Sequence, residues 1–135
     1  MVANCWMLAL PRADLEHCIQ VGTFGLSRSH TIKNVKAGDK VICCATKEWT
    51  ILAVGEATTD YYVDDKPVFL RAGTFIDRFD FRVRLLSKQE ELAFKPLIAT
   101  MEFIKKKEYW PVYFKVGIVK VTESDFDHIE KLTVR

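Results

Sequence analysis

Residues 40–58 read KVICCATKEWTILAVGEAT, and this stretch decides the fold class. Lys40–Thr46 is an apolar run of strand length, and Thr50–Thr58 is a second. Lys47, Glu48 and Trp49 leave room only for a turn, so the two runs pair antiparallel. Side chains alternate along a strand, so the adjacent thiols of Cys43 and Cys44 face opposite sides of the sheet.

Beyond this hairpin, Phe79–Leu86 alternates: Phe79, Phe81, Val83 and Leu85 face one way, Asp80, Arg82 and Arg84 the other. That is a half-buried strand. Tyr61 and Tyr62 extend the hairpin, and Asp64–Gly73, with Pro67, reads as a loop. Upstream, Cys5–Leu10 is a buried strand ending at Pro11. Ala13–Gln20, with Leu15 and Ile19 four apart, is a short helix ending near Gly22. Thr23–Leu26 is extended, and Ile32 and Val35 are spaced for one helical turn before the Ala-Gly-Asp turn at 37–39. Downstream, Phe94–Phe103 is a loop into a short helix, Lys105–Glu108 a charged tip, and Val112–Val121 a mixed apolar stretch. Thr122 has the character of an N-cap, with Asp125 as its capping-box partner, and Ser124–Leu132 is the last helix. The class is α+β: a curved sheet or small barrel of about five to six strands with helices at its ends.

The 135 residues are the size of one domain and can bury a core without disulfides. Hydrophobic residues make up 49% and charged residues 28%, which excludes a disordered chain. A net charge of +2 excludes a strongly basic nucleic-acid coat but allows a local basic patch. The opening apolar stretch is broken by Pro11 and Arg12, too soon for a secretory leader, and no window is long enough to span a bilayer. With Cys5, Cys18, Cys43 and Cys44 read as reduced core thiols, a cytoplasmic protein without membrane contact is expected.

His17, His30 and His128 lie in separate contexts without carboxylate or thiol at ligand spacing, so neither metal nor cofactor is expected. No nucleophile elbow, P-loop or dinucleotide fingerprint is present. Ser27, Arg28, Ser29 and His30 have the composition of a phosphate-touching loop or of a solvated one. The aromatic set is more informative. Trp6, Phe24, Trp49, Phe69, Phe75, Phe79 and Trp110 fall at strand ends or in loops. Arg12, Arg28, Arg71, Arg78, Arg82, Lys95 and the Lys105–Lys107 run are interspersed with them. Aromatic rings beside cations pack cores, and they also stack splayed-out bases.

Four segments together resemble the EVE domain, a PUA-like family related to the YTH domain. They are the strand around Trp6, TFGLSRSHTIKNVKAGDKV at 23–41, ILAVGEA at 51–57, and the block from Phe94 to Leu132. The resemblance spans essentially the whole chain. It implies a PUA-like curved mixed sheet or barrel and a pocket for a modified nucleobase, in DNA or RNA. In that pocket Phe24 matches the first cage aromatic, which is usually tryptophan. Phe75 falls near a second, and Leu70 where YTH domains place another. Gly25, Leu26 and Ser27 match the backbone along the base edge. Leu10 and Pro11 follow the first strand, where relatives hydrogen-bond the ring.

The expected function is a non-enzymatic reader. One base stacks on Phe24, with help from Phe75, Phe79 or Trp110, in a pocket that also includes Trp6. Arg28, Arg78, Lys95, Lys105, Lys106 and Lys107 meet phosphates. A free ring compound is a possible ligand of the same pocket. The alternatives are a small ASCH-like hydrolase using Lys33, Lys40 and Glu56, or an interaction module of a restriction or toxin–antitoxin system.

Overall fold

A computed structural model describes residues 3–71 and 73–133. Its strands are β1 (Cys5–Pro11), β2 (Thr23–Leu26), β3 (Lys40–Thr46), β4 (Thr50–Ala57), β5 (Tyr62–Val63), β6 (Asp77–Leu85), β7 (Leu92–Ala93) and β8 (Ile118–Val121). The helices are α1 (Arg12–Val21) and α2 (Glu123–Thr133), with short 3-10 segments at Thr31–Asn34, Lys95–Thr100 and Lys107–Phe114.

The sheet runs β2-β6-β4-β3-β1-β8, with β5 attached to β6 and β7 to β4. The β3–β4 hairpin is antiparallel, as the three-residue turn requires, with a register shift at Cys43 and Cys44. β1 runs parallel to β3 and antiparallel to β8, which makes the sheet mixed. The parallel step needs a crossover, and α1, β2 and the segment through Thr31–Asn34 supply it. This curled mixed sheet with few helices is the expected fold class.

Both faces of the sheet are covered. Trp6, Leu8 and Leu10 of β1 join Val41, Cys43 and Ala45 in a core with Phe24, Phe79 and Phe81. Cys5, Met7 and Ala9 point the other way, to a core with Ile42, Cys44, Phe94, Phe114, Phe126 and Ile129. Cys43 and Cys44 thus face opposite sides, and all four cysteines are free and buried. Burial pushes the Cys18 thiol up to about 11, so it is a packing group and not a nucleophile. Gly55 is glycine because a Cβ there would stand 2.1 Å from the Arg82 carbonyl oxygen on β6.

Asp39 joins these parts. It is buried, and its carboxylate accepts from the Trp6 indole Nε1–H at 2.9 Å, the Asn4 N–H at 3.1 Å and the Lys36 N–H at 2.9 Å. The Ala-Gly-Asp turn thereby locks the start of β3 to β1.

Several local expectations change. Leu85 is exposed, because β6 ends there, and Leu86 is buried in the core on the other face of the sheet. Lys107–Phe114, which takes in the end of the charged tip and the start of the Val112–Val121 stretch, is a 3-10 segment, and only Ile118–Val121 is strand. Tyr113 Oη accepts from the Lys105 and Lys106 N–H groups and folds this segment back on itself. The capping box is half right. Thr122 Oγ1 accepts from the Asp125 N–H at 3.0 Å, but the Asp125 carboxylate accepts from the Glu102 and Phe103 N–H groups instead, both at 2.8 Å. No helix among the described residues is long and apolar enough to cross a membrane.

Candidate nucleic-acid interface

β2 is an edge strand, paired on one side only, with Phe24 opposite Phe79 and Gly25 opposite Arg78. The loop between β5 and β6 folds over it. Gly25 makes this possible, since a Cβ at that position would lie 2.5 Å from the Phe69 ring and 3.2 Å from the Phe75 carbonyl oxygen. Phe69 and Phe75, both half-buried, meet nearly at right angles with their ring centres 6.0 Å apart. They form an aromatic corner against the Gly25 backbone.

The corner is cationic. The Arg71 guanidinium sits 3.9 Å from the centre of the Phe75 ring and 5.3 Å from that of Phe69. Its Nη2 donates to the Gly25 carbonyl at 2.7 Å, while its buried Nε has no partner. Burial pulls the Arg71 guanidinium below its ordinary value. Arg78 lies deeper. It donates from Nε to the Phe75 carbonyl at 2.8 Å and from Nη2 to the Lys66 carbonyl, and it stands 3.9 Å from Asp64. His17 adds a third fastening: its Nε2 lies 2.7 Å from the Val68 carbonyl, which can only accept, so Nε2 carries the proton. A cavity of about 240 Å³ lies within the loop, lined by Lys66, Phe69, Arg71, Thr74 and Arg78.

The structure redistributes the residues singled out in the sequence. Gly25, Leu26 and Phe75 come together here, with Ser27 and Arg28 exposed at the end of β2. Phe24 and Phe79 pack on each other at 5.7 Å in the core, fully buried, so neither ring presents a face. Trp6 is buried and tied to Asp39, and Leu10 belongs to the same core. Pro11 is half-buried at the start of α1. Leu70 points to solvent, 63% exposed, and closes no cage.

Two larger corrections concern Trp110 and Arg78. Trp110 is on the opposite face of the sheet, 4.6 Å from Trp49 and packed against Phe94 and Phe114. It cannot share a base with Phe24. Arg78 is 2% exposed and spends its donors on backbone carbonyls, so it does not meet phosphate. Lys107 is similarly engaged, donating to the Met101 and Ile104 carbonyls. Lys95 and Lys107 border a separate cavity of about 490 Å³ beside Trp110, and Lys105 and Lys106 are exposed nearby in sequence. Phe69 and Arg71 were visible in the sequence as an aromatic and a cation, but nothing in their spacing put them against Gly25.

Lys40 and Glu56 do face each other across β3 and β4. Glu56 is taken by Arg82 at 3.0 Å, and the Lys40 ammonium lies 5.3 Å from the centre of the Phe126 ring. The open groove around them measures about 500 Å³. Lys33 is exposed on the Thr31–Asn34 segment.

No protein-family model matches the chain. A UPF0310 protein of Pyrococcus horikoshii is 29% identical over 94% of the chain and 97% of its own length. Human THYN1, solved in complex with 5-methylcytosine containing DNA, superposes with a TM-score of 0.63 at 13% identity, covering 98% of this chain and 99% of that one. The Mmi1 YTH domain superposes with a TM-score of 0.65 at 11% identity, over 97% of this chain and 75% of that one. The chain has the PUA-like fold of the EVE and YTH domains. In this PUA-like sheet the edge strand and the β5–β6 loop bring together an aromatic corner, the Gly25 backbone and the Arg71 guanidinium.

Proposed function

We propose that the chain is a reader that holds one base of a nucleic acid in the corner formed by Phe69, Phe75 and the Gly25–Ser27 backbone. The observation that carries the reading is the pairing of two aromatic rings with a glycine edge whose carbonyl accepts a hydrogen bond from outside the strand, here from Arg71. A base stacked on Phe75 gains about 1–3 kcal/mol, and its polar edge then meets backbone groups of β2. Exposed Lys66, which lines the cavity within the loop, and exposed Arg28, just past the end of β2, neutralise flanking phosphates, so affinity falls as salt rises. The solved complex of THYN1 with methylated DNA supports a modified base as the ligand.

The test is titration of short DNA and RNA strands carrying 5-methylcytosine, N6-methyladenine or the unmodified bases, followed by fluorescence anisotropy. Binding that favours a modified base and disappears in Phe75→Ala, with the fold intact, is expected. Equal affinity for all strands, unchanged in Phe75→Ala, refutes the reading.

A further inference from the structure

Arg71 fills the corner in which the proposed reader would hold its base, and it does so with the features of a ligand. It is flat, it lies 3.9 Å from the centre of the Phe75 ring, and it gives an N–H to the Gly25 carbonyl at 2.7 Å. We infer that Arg71 is an internal stand-in for the ligand, which must leave the aromatic corner before a base can enter. The inference rests on the reader proposed above.

Two further observations support an exchange over a permanent structural role. Arg71 Nε is buried without a partner, a cost that leaving the corner would remove. The loop is also fastened unevenly. Arg78 holds its two feet through the Lys66 and Phe75 carbonyls. Between the feet, among the described residues, His17 holds Val68, Phe69 packs against Gly25 and the core, and Arg71 bonds the Gly25 carbonyl. With the loop held at both feet and by His17 and Phe69, Arg71 can leave the Gly25 carbonyl without releasing the loop. Arg78, by contrast, has the exposure and partners of a permanent anchor.

The stand-in also indicates what replaces it. Gly25 O accepts a hydrogen bond, and the negative face of Phe75 is matched by an electron-poor plane. The entering ring is therefore one with an exocyclic amino group, as in cytosine, adenine or guanine. Uracil and thymine lack that group, and their one base-edge donor, N3–H, stands between two carbonyl oxygens that would crowd the Gly25 oxygen.

The experiment compares the full chain with Arg71→Ala and Arg71→Lys, each checked for folding by NMR. Single strands with a central 5-methylcytosine, N6-methyladenine or thymine are titrated into each. If the corner is free about a tenth of the time, emptying it tightens binding by about tenfold. Arg71→Ala is expected to bind amino-bearing strands about tenfold more tightly than the parent chain and to leave thymine strands behind. Methylguanidinium is expected to move the Gly25 amide resonance of Arg71→Ala and to compete with the strand. A folded Arg71→Ala that binds no tighter than the parent, and whose Gly25 resonance ignores methylguanidinium, overturns the inference. If Arg71→Ala does not fold, Arg71→Lys decides: it keeps the charge and loses the flat fork, so tighter binding supports the stand-in and equal or weaker binding overturns it. If no strand binds any of the three proteins, the reader fails by itself, and the methylguanidinium shift at Gly25 alone decides whether the corner takes a planar cation.

Discussion

Arg78 separates a structural arginine from a phosphate-binding one, and replacing it with methionine shows which it is. Methionine keeps the apolar stem and removes the guanidinium. The side chain is 2% exposed, and it gives charged hydrogen bonds to the Phe75 carbonyl at 2.8 Å and to the Lys66 carbonyl. Hydrogen bonds to charged groups contribute about 1.5–3 kcal/mol each, so losing two costs about 3–5 kcal/mol after partial solvation of the freed carbonyls. For a chain of this size each kcal/mol moves Tm by roughly 3–5 °C, giving a fall of about 10–20 °C. Differential scanning calorimetry reads this directly. The same variant should leave the salt dependence of nucleic-acid binding unchanged once folding is restored by lower temperature, because Arg78 faces no phosphate. An unchanged Tm together with a salt slope reduced by about one unit would refute the reasoning and return Arg78 to the phosphate contacts.

Other substitutions divide the core from the corner. Phe24→Ala should cost about 3–5 kcal/mol of stability, since the ring is fully buried against Phe79, whereas half-buried Phe75→Ala should cost less and abolish base stacking. Thermal melts and anisotropy on both variants check this, and equal loss of stability would contradict it. Replacing exposed Lys105 and Lys106 with alanine should leave base selectivity intact, because they lie by the Trp110 face and not at the corner; altered selectivity in the strand titration would count against the placement. Glu48 is held below the ordinary glutamate value of 4.5 by its hydrogen bond from Arg12. A depressed carboxyl stabilises the fold above its unfolded pKa, and that contribution is lost as pH falls through the folded value. Carboxyl-detected NMR should show Glu48 titrating below 4.5, and Arg12→Met should bring it back.

The hairpin at 40–58 was readable because its signals are local: two apolar runs of strand length and a connection of three residues. The Thr122 cap was local in the same sense. The parallel pairing of β1 with β3 is not local, and nothing in CWMLALP says which strand lies beside it. The partner of Asp125 was missed for a related reason. A carboxylate three residues past a cap can turn back to it, but here the N–H groups of Glu102 and Phe103 compete successfully from more than twenty positions away.

The candidate site follows the same division. Gly25 and Phe75 were both singled out from the family pattern and lie side by side, whereas no signal put Phe69 and Arg71 beside them. Phe24 and Phe79 are aromatic residues on paired strands, and composition cannot tell a ring that packs inward from one that lines a pocket. Phe69 and Arg71 reach Gly25 only because the β5–β6 loop folds back across the edge strand, held by Arg78 at its foot and by His17 from a distant part of the chain. Trp110 failed as a pocket residue because β1 and β3 place two cores on opposite faces of the sheet.

A crystal structure of the chain with a short strand bearing 5-methylcytosine or N6-methyladenine locates the base. The modified ring is expected on Phe75, with its amino edge at the Gly25 carbonyl and Arg71 displaced outward. A base seated instead beside Trp110, or in the groove of Lys40 and Glu56, with Arg71 still on Gly25, would contradict this placement.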